Sequence, residues 1–289
     1  MGSPIHLTML NFMVGGGYEG QMDHHLEWGI HHLDLKGQLF GKAVEHLSLI
    51  EAQKIRQAAD QREMKIHTLS TCLFDQDIEA GETAFREQDF PALERVLDIA
   101  DILQPYQIRL LVAKTSRRPD ILDSSRYLEE VHPWVVPMYG EAVDRICNRG
   151  FRIALENEVG SCLFARPEEI IRFFDAMNRG DRVGFIWDIQ NLWQMGTFPS
   201  LAVYENLKPL ISMIHLKGGR SEIPGGPLVW KSNLEDASWP VLEIVRQVIA
   251  DGVSPVICLN PSHGKTPENY NLDTKRDVYF LRRHLKEVV

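Results

Sequence analysis

Short apolar runs rich in β-branched residues alternate along the whole chain with longer segments whose apolar positions recur at i, i+3, i+4 and i+7. The first kind reads as buried strands: LTMLNFMV from Leu7, HHLDLKG from His31, KIHTLST from Lys65 and QIRLLVAKT from Gln107. Four more follow, FRIALENE from Phe151, RVGFIWD from Arg182, ISMIHLKG from Ile211 and SPVICLN from Ser254. The second kind reads as amphipathic helices, among them LSLIEAQKIRQAADQREM, FPALERVLDIADIL, VVPMYGEAVDRICNRG and WPVLEIVRQVIADG, with RDVYFLRRHLKEVV at the end. Gly150 and Gly252 follow two of these, and Pro91 and Pro240 are expected near helix starts. Strand and helix patterns in strict alternation predict an α/β fold, and their number favours a (β/α)8 barrel over an open doubly wound sheet. With no low-complexity linker or shift of composition, residues 1–289 are expected to form one barrel domain.

Composition narrows the classes. Apolar residues make up 44% and charged residues 25% of the 289, the balance of a globular protein with a large core. The net charge is −9 and no Lys/Arg-rich run occurs, which argues against a nucleic-acid footprint. No stretch is long and apolar enough for a membrane span, and the opening MGSPIHLTML lacks the pattern of a signal peptide. A cytoplasmic location is therefore expected. The four cysteines form no CxxC pair, and Cys147 and Cys258 lie in apolar runs as reduced core residues.

In a (β/α)8 barrel, chemistry gathers where strands end in the C-terminal direction. Here those ends are polar in a particular way. Strand 5 closes on Glu156, Asn157 and Glu158, strand 6 on Trp187 and Asp188 with Asn191 beyond, and strand 7 carries His215 and Lys217. Strand 8 ends in Asn260, with His263 after it. Two carboxylates and an imidazole from three consecutive strands suit a divalent cation, Mn²⁺, Mg²⁺, Co²⁺ or Zn²⁺, with positions left over for substrate oxygens. Any single polar strand end is more often a solvated terminus; three in sequence make the cation reading the better one.

The pieces IALENE, FIWDIQN and MIHLKG resemble the strand-5, strand-6 and strand-7 signatures of the xylose isomerase-like TIM-barrel superfamily. The resemblance implies that Glu156, Asp188 and His215 are metal ligands, and that Asn191 stands where many members carry a histidine. Epimerases of that group typically end strand 8 in a metal-binding, acid–base glutamate; the matching position here is Asn260. An amide oxygen can ligate a hard cation but brings no charge and takes no proton at neutral pH.

The function expected is a divalent-metal-dependent isomerase or epimerase acting on a sugar or a sugar-derived polyol or keto compound. A lyase or dehydratase on a related sugar derivative is the alternative, and a non-catalytic sugar-binding barrel with a weakened metal site the third reading. A nuclease of the same fold would need more histidines at strand ends. Glu156 is expected to move the proton, with Glu158 on the same side of the strand or His263 as its partner. Lys36, Lys114, Asn191, Lys217 and Arg220 are the substrate-binding candidates, a basic mouth on an acidic protein that suits anionic groups. Trp193 and Trp230 are candidates to stack on a sugar ring, whereas Trp187 is as readily placed facing the helices. Gly218–Trp239 is the longest irregular stretch and a candidate lid. His24, His25, His31 and His32 read as structural, and Gly15–Gly17 as a loop without a phosphate-binding pattern. The partner expected is a small sugar-like molecule, with no nucleic acid and no membrane; homo-oligomerisation stays open.

Overall fold

The computed structural model describes residues 4–261 and 267–289, the side chains of 267–271 aside. Eight parallel strands form the barrel. They are β1 (His6–Met9), β2 (His32–Leu35), β3 (Lys65–Ser70) and β4 (Gln107–Leu111), then β5 (Arg152–Glu156), β6 (Val183–Asp188), β7 (Ile211–Leu216) and β8 (Val256–Leu259). The order is β1-β8-β7-β6-β5-β4-β3-β2, so each strand pairs with its neighbour in sequence and β8 returns to β1. The remaining seam, between β1 and β2, is joined by the Leu10–Asp34 bridge and by the Thr8 hydroxyl, which donates to the carbonyl of His32 at 2.8 Å. Asn11 adds a staple there, donating to Gln21 Oε1 and to the carbonyl of Gly37 at 2.7 Å each.

The outer layer is helical. Its first members are α1 (Tyr18–Glu27), α2 (Leu49–Gln61), α3 (Glu82–Leu103), α4 (Ser124–Val131) and α5 (Val135–Asn148). After β5 come α6 (Pro167–Met177), α7 (Ile189–Gln194), α8 (Leu201–Leu207), α9 (Val241–Asp251) and α10 (Pro267–His284). Local chemistry sets several boundaries. Ser48 caps α2 while Glu51 reaches back to the Ser48 N–H, a complete capping box. Gly252 ends α9 at φ 64°, a left-handed conformation that costs other residues more. Pro91 departs from expectation. It lies inside α3 and not at a helix start.

The strands are shorter than the apolar runs that announce them; β4, for one, stops at Leu111 although Val112 and Ala113 are buried beyond it. Strand alternation sends one set of side chains to the barrel interior and the other to the helices. Trp187 belongs to the second set: it is fully buried and stacks on Tyr204 of α8, with ring centroids 6.4 Å apart. Trp193 is also buried, and its indole donates to the carbonyl of Gly226 at 2.9 Å, so it anchors the loop after β7 and is no sugar-stacking surface. Gly218 opens that loop where a Cβ would run into the carbonyl oxygens of Ser232 and Asn233. Only a glycine lets the two chain segments approach that closely.

Among the described residues no helix is long and apolar enough to cross a membrane. All four cysteines are free; Cys258 and Cys162 are buried, and Cys147 is half-buried.

Asp277 of α10 ties the far end of the loop after β7 to the barrel. Its Oδ1 accepts from the Leu234 N–H at 2.8 Å and from Asn233 Nδ2 at 3.2 Å, while Oδ2 has no hydrogen-bond partner. Burial pushes this carboxyl from 3.8 up to about 7. The folded state therefore holds the proton more tightly than the unfolded chain, so the contribution to stability is full below the unfolded value and lost as pH rises through the folded one. Wild type should lose stability relative to Asp277→Asn between about pH 4 and about pH 8 in urea denaturation. A difference that stays constant across that range would remove Asp277 from the account.

Candidate metal centre and acid–base site

Register brings the site together. Asp188 pairs with His215 across β6 and β7, His215 pairs with Cys258 across β7 and β8, and Glu156 pairs with Leu111 across β4 and β5. The layer beneath is apolar, made by Ala154, Ile186, Met213 and Cys258 packed on one another inside the barrel. Above it Glu156, Asp188 and His215 are at most 1% exposed, and one ligand atom from each lies within 4.8 Å of the others.

Each side chain is held by neighbours. Asp188 is the N-cap of α7: its Oδ1 accepts from the Asn191 N–H at 3.0 Å, which aims Oδ2 inward. Asn157 extends the β5–β6 ladder with its amide, taking the Asp188 N–H at 2.9 Å and donating to the Asp188 carbonyl at 2.9 Å. Glu156 Oε1 stands 2.8 Å from His215 Nδ1, and Glu156 Oε2 accepts from the guanidinium of Arg109. Arg109 comes from β4, is 1% exposed, and also donates to the Thr71 carbonyl at 2.6 Å. Lys217 lies 2.6 Å from Asp188 Oδ2 and donates to Asn191 Oδ1 at 3.0 Å. Asn191 in turn donates to Glu158 Oε1 at 2.9 Å.

The electrostatics follow from burial against these partners. Burial raises the Glu156 carboxyl, but His215 and Arg109 together outweigh it and hold the group below the usual range. Glu158, more open but still largely enclosed, is raised by burial and then by the charge of Glu156. Burial works against a charged Lys217, and Asp188 beside it more than restores the proton. Two carboxyls from the same strand end are thus pushed in opposite directions, one toward base and one toward acid.

The donor set fits a divalent cation. Asp188 Oδ2 is held at 2.6 Å by Lys217 and Glu156 Oε1 at 2.8 Å by His215 Nδ1, so the three buried side chains converge as oriented donors within 4.8 Å of one another. Two carboxylate oxygens and an imidazole match the preference of Mg²⁺, Mn²⁺, Co²⁺ or Zn²⁺.

The other expected residues are placed as follows. Asn191, Lys217 and Glu158 join the network described above. Asn260 is buried at the end of β8, its N–H donating to the Leu216 carbonyl at 3.0 Å. Lys36 is half-buried at the end of β2 and near enough to lower the Glu156 carboxyl. Lys114 is turned away, paired with Asp75 at 2.8 Å. Arg220 is exposed and lies over Trp230 at 5.6 Å from the ring centroid, apart from the cluster. His263 lies outside the described residues. Sequence reasoning missed Arg109 and gave no role to Asp34, which is fully buried beside His215. An arginine in the apolar run QIRLLVA was the signal available, since an interior strand position tolerates that charge only with a partner.

A profile of the xylose isomerase-like TIM barrels matches residues 27–236. A search of curated proteins finds no match to the sequence. Among solved structures, a probable 3-DHS dehydratase, AsbF, from Bacillus anthracis superposes with a TM-score of 0.73 at 14% identity, over 96% of this chain and 98% of that one. A xylose isomerase-like TIM barrel protein from Mycobacterium smegmatis in complex with magnesium gives 0.70 at 16%, over 98% of each chain. A D-psicose 3-epimerase with D-tagatose from Clostridium cellulolyticum H10 gives 0.70 at 12%, over 97% and 99%. At these identities the likeness concerns the fold.

Asn157 is expected to matter as much as the ligands it positions. Asn157→Ala leaves the buried N–H and carbonyl of Asp188 without these partners, at about 1–3 kcal/mol for each group left unpaired. Chemical denaturation should show the loss. A change below about 0.5 kcal/mol, the scale of an ordinary surface substitution, would show that the amide bridge is dispensable.

Proposed function

Because the chain belongs to the xylose isomerase-like TIM-barrel family, we propose that it is an enzyme that moves a proton at a carbon beside an oxygen of a sugar or sugar-derived polyol or keto compound, as an isomerase or epimerase. The observation that carries this reading is the buried cluster of Glu156, Asp188 and His215 at the C-terminal ends of β5, β6 and β7. Those three side chains would hold a divalent cation, with Asn260 at the next strand end as a neutral neighbour. When bound, such an ion supplies positive charge that stabilises negative charge developing on a substrate oxygen.

The chain's own groups do the rest. Glu156, ionised and fixed on one oxygen by Arg109, presents Oε1 to take a proton from carbon. Glu158, raised toward its protonated form, is the acid that returns one. Lys217 and Asn191 tie Asp188 to Glu158, holding the two carboxyls in fixed relation. The loop after β7 is anchored by Trp193, whose indole donates to the Gly226 carbonyl at 2.9 Å.

Asn260 shapes the outcome. A strand-8 carboxylate would face Glu156 across the barrel and serve the opposite face of a substrate carbon. Among the described residues that wall carries an amide, and both acid–base groups come from β5. Proton transfer confined to one face suits isomerisation between adjacent carbons. It equally suits elimination, so a lyase or dehydratase is the second reading, in keeping with the probable dehydratase among the fold neighbours.

The test begins with metal content of protein purified without chelator, alongside Glu156→Gln and Asp188→Asn. Near one divalent ion per chain should be present in wild type and lost in both variants. Sugar and keto-sugar screens in D2O should then show solvent deuterium entering the product of wild type, with Glu156→Gln slower by roughly 10²-fold or more. Absence of bound metal even with added Mn²⁺, together with no turnover, would sink the enzyme reading and leave a sugar-binding barrel.

A further inference from the structure

His215 faces two sets of ligand-type atoms, not one. Its Nδ1 is directed at Glu156, 2.8 Å from Oε1, with Asp188 Oδ2 at 3.9 Å. Its Nε2 points across the barrel to Asp34 Oδ2 at 3.8 Å, and the thiol of Cys258 lies 3.8 Å from that same oxygen. One ligand atom from each of Asp34, His215 and Cys258 falls within 4.8 Å of the others, and all three residues are fully buried. His215 Nε2 has no hydrogen-bond partner. Buried polar atoms are nearly always paired, so an unpaired ring nitrogen facing a buried carboxylate and a thiol points to something that binds there.

We propose that Asp34, His215 and Cys258 form a second cation position, on the β2–β8 side of His215, that takes a thiophilic divalent metal such as Zn²⁺ or Co²⁺. This rests on the reading of Glu156, Asp188 and His215 as the first position. Ligand softness separates the two: a thiolate selects Zn²⁺ and Co²⁺, whereas two carboxylates with an imidazole also accept Mg²⁺ and Mn²⁺. A neutral imidazole carries one lone pair and one N–H, so the ring serves one position at a time. The positions are therefore alternatives. A metal on the Cys258 side takes the lone pair of Nε2, leaves Nδ1 protonated toward Glu156, and removes His215 from the first position. On binding, the Cys258 sulfur forms the metal bond and its proton leaves to solvent, with no change of oxidation state. The apolar contacts of Cys258 with Ala154, Ile186 and Met213 keep the sulfur away from bulk water.

The test loads the full-length protein with Co²⁺ and looks for a thiolate-to-cobalt charge-transfer band in the near ultraviolet. The band should appear in wild type, vanish in Cys258→Ser, weaken in Asp34→Asn and persist in Glu156→Gln. Mn²⁺ binding, followed by electron paramagnetic resonance, should persist in Cys258→Ser and be lost in Glu156→Gln. Zn²⁺ should displace Mn²⁺ from wild type and do so less well in Cys258→Ser. Thermal melting checks that each variant folds, and Cys258→Ala replaces Cys258→Ser if the serine variant does not. No band in wild type, or a band that survives loss of Cys258, overturns the second position. If Mn²⁺ still binds through Glu156 in that case, the proposed function stands without it. Loss of Mn²⁺ binding in wild type would instead strike the first position.

Discussion

The site depends on charge compensation among side chains buried inside the barrel. Glu156 and Arg109 are each 1% exposed and hydrogen-bonded to one another, and Asp188 faces Lys217 in the same way. Removing one partner of such a buried pair typically costs about 3–5 kcal/mol, because the other charge is left without compensation. That constraint explains why cations emerge from β4 and β7 exactly beside the strands that carry the acids. It also leaves the cluster close to electrically balanced before any ligand arrives. The donors of the cluster are thus oriented in advance, which leaves little reorganisation to a ligand.

Orientation comes from amides and caps. Asp188 spends one oxygen on the first turn of α7 and keeps the other for the cluster, while Asn157 locks its backbone to β5. Asn191 takes the place the family often gives to a histidine, and here it joins Lys217 to Glu158. Glu156 and Glu158 both lie at the end of β5, whereas the chain just past β6 and β8 carries the amides Asn191 and Asn260.

The strand order, the barrel, and the triad Glu156, Asp188 and His215 were legible in the chain because each is local. An apolar run closing on a polar residue marks the top of a strand, and strands in sequence order become neighbours around a barrel. Lys114 shows where that logic stops: it closes the apolar run of the fourth strand pattern, yet it lies past β4 and pairs with Asp75. Trp193 shows the same limit, since its position after Asp188 suggested a sugar platform and its indole instead anchors Gly226. A strand end tells that a side chain is near the mouth. It does not tell which neighbour will claim it.

Sequence by itself determined the alternation that builds the barrel and the strand ends that carry Glu156, Asp188 and His215, which need only periodicity and chain order; that strand 8 lacks a carboxylate was legible only from the family resemblance. Tertiary structure alone decided that Arg109 lies under Glu156, that Asp34 and Cys258 close on the far side of His215, and that Asn157 doubles as a rung of the β5–β6 ladder. Asp34 and Cys258 are separated by most of the chain, and they meet only because β8 pairs with β1 and the β1–β2 seam closes the barrel. Register across that closure sets their distance. Pattern along a chain carries direction and period, whereas contact across a closed sheet depends on shear and twist, which no local stretch of residues encodes.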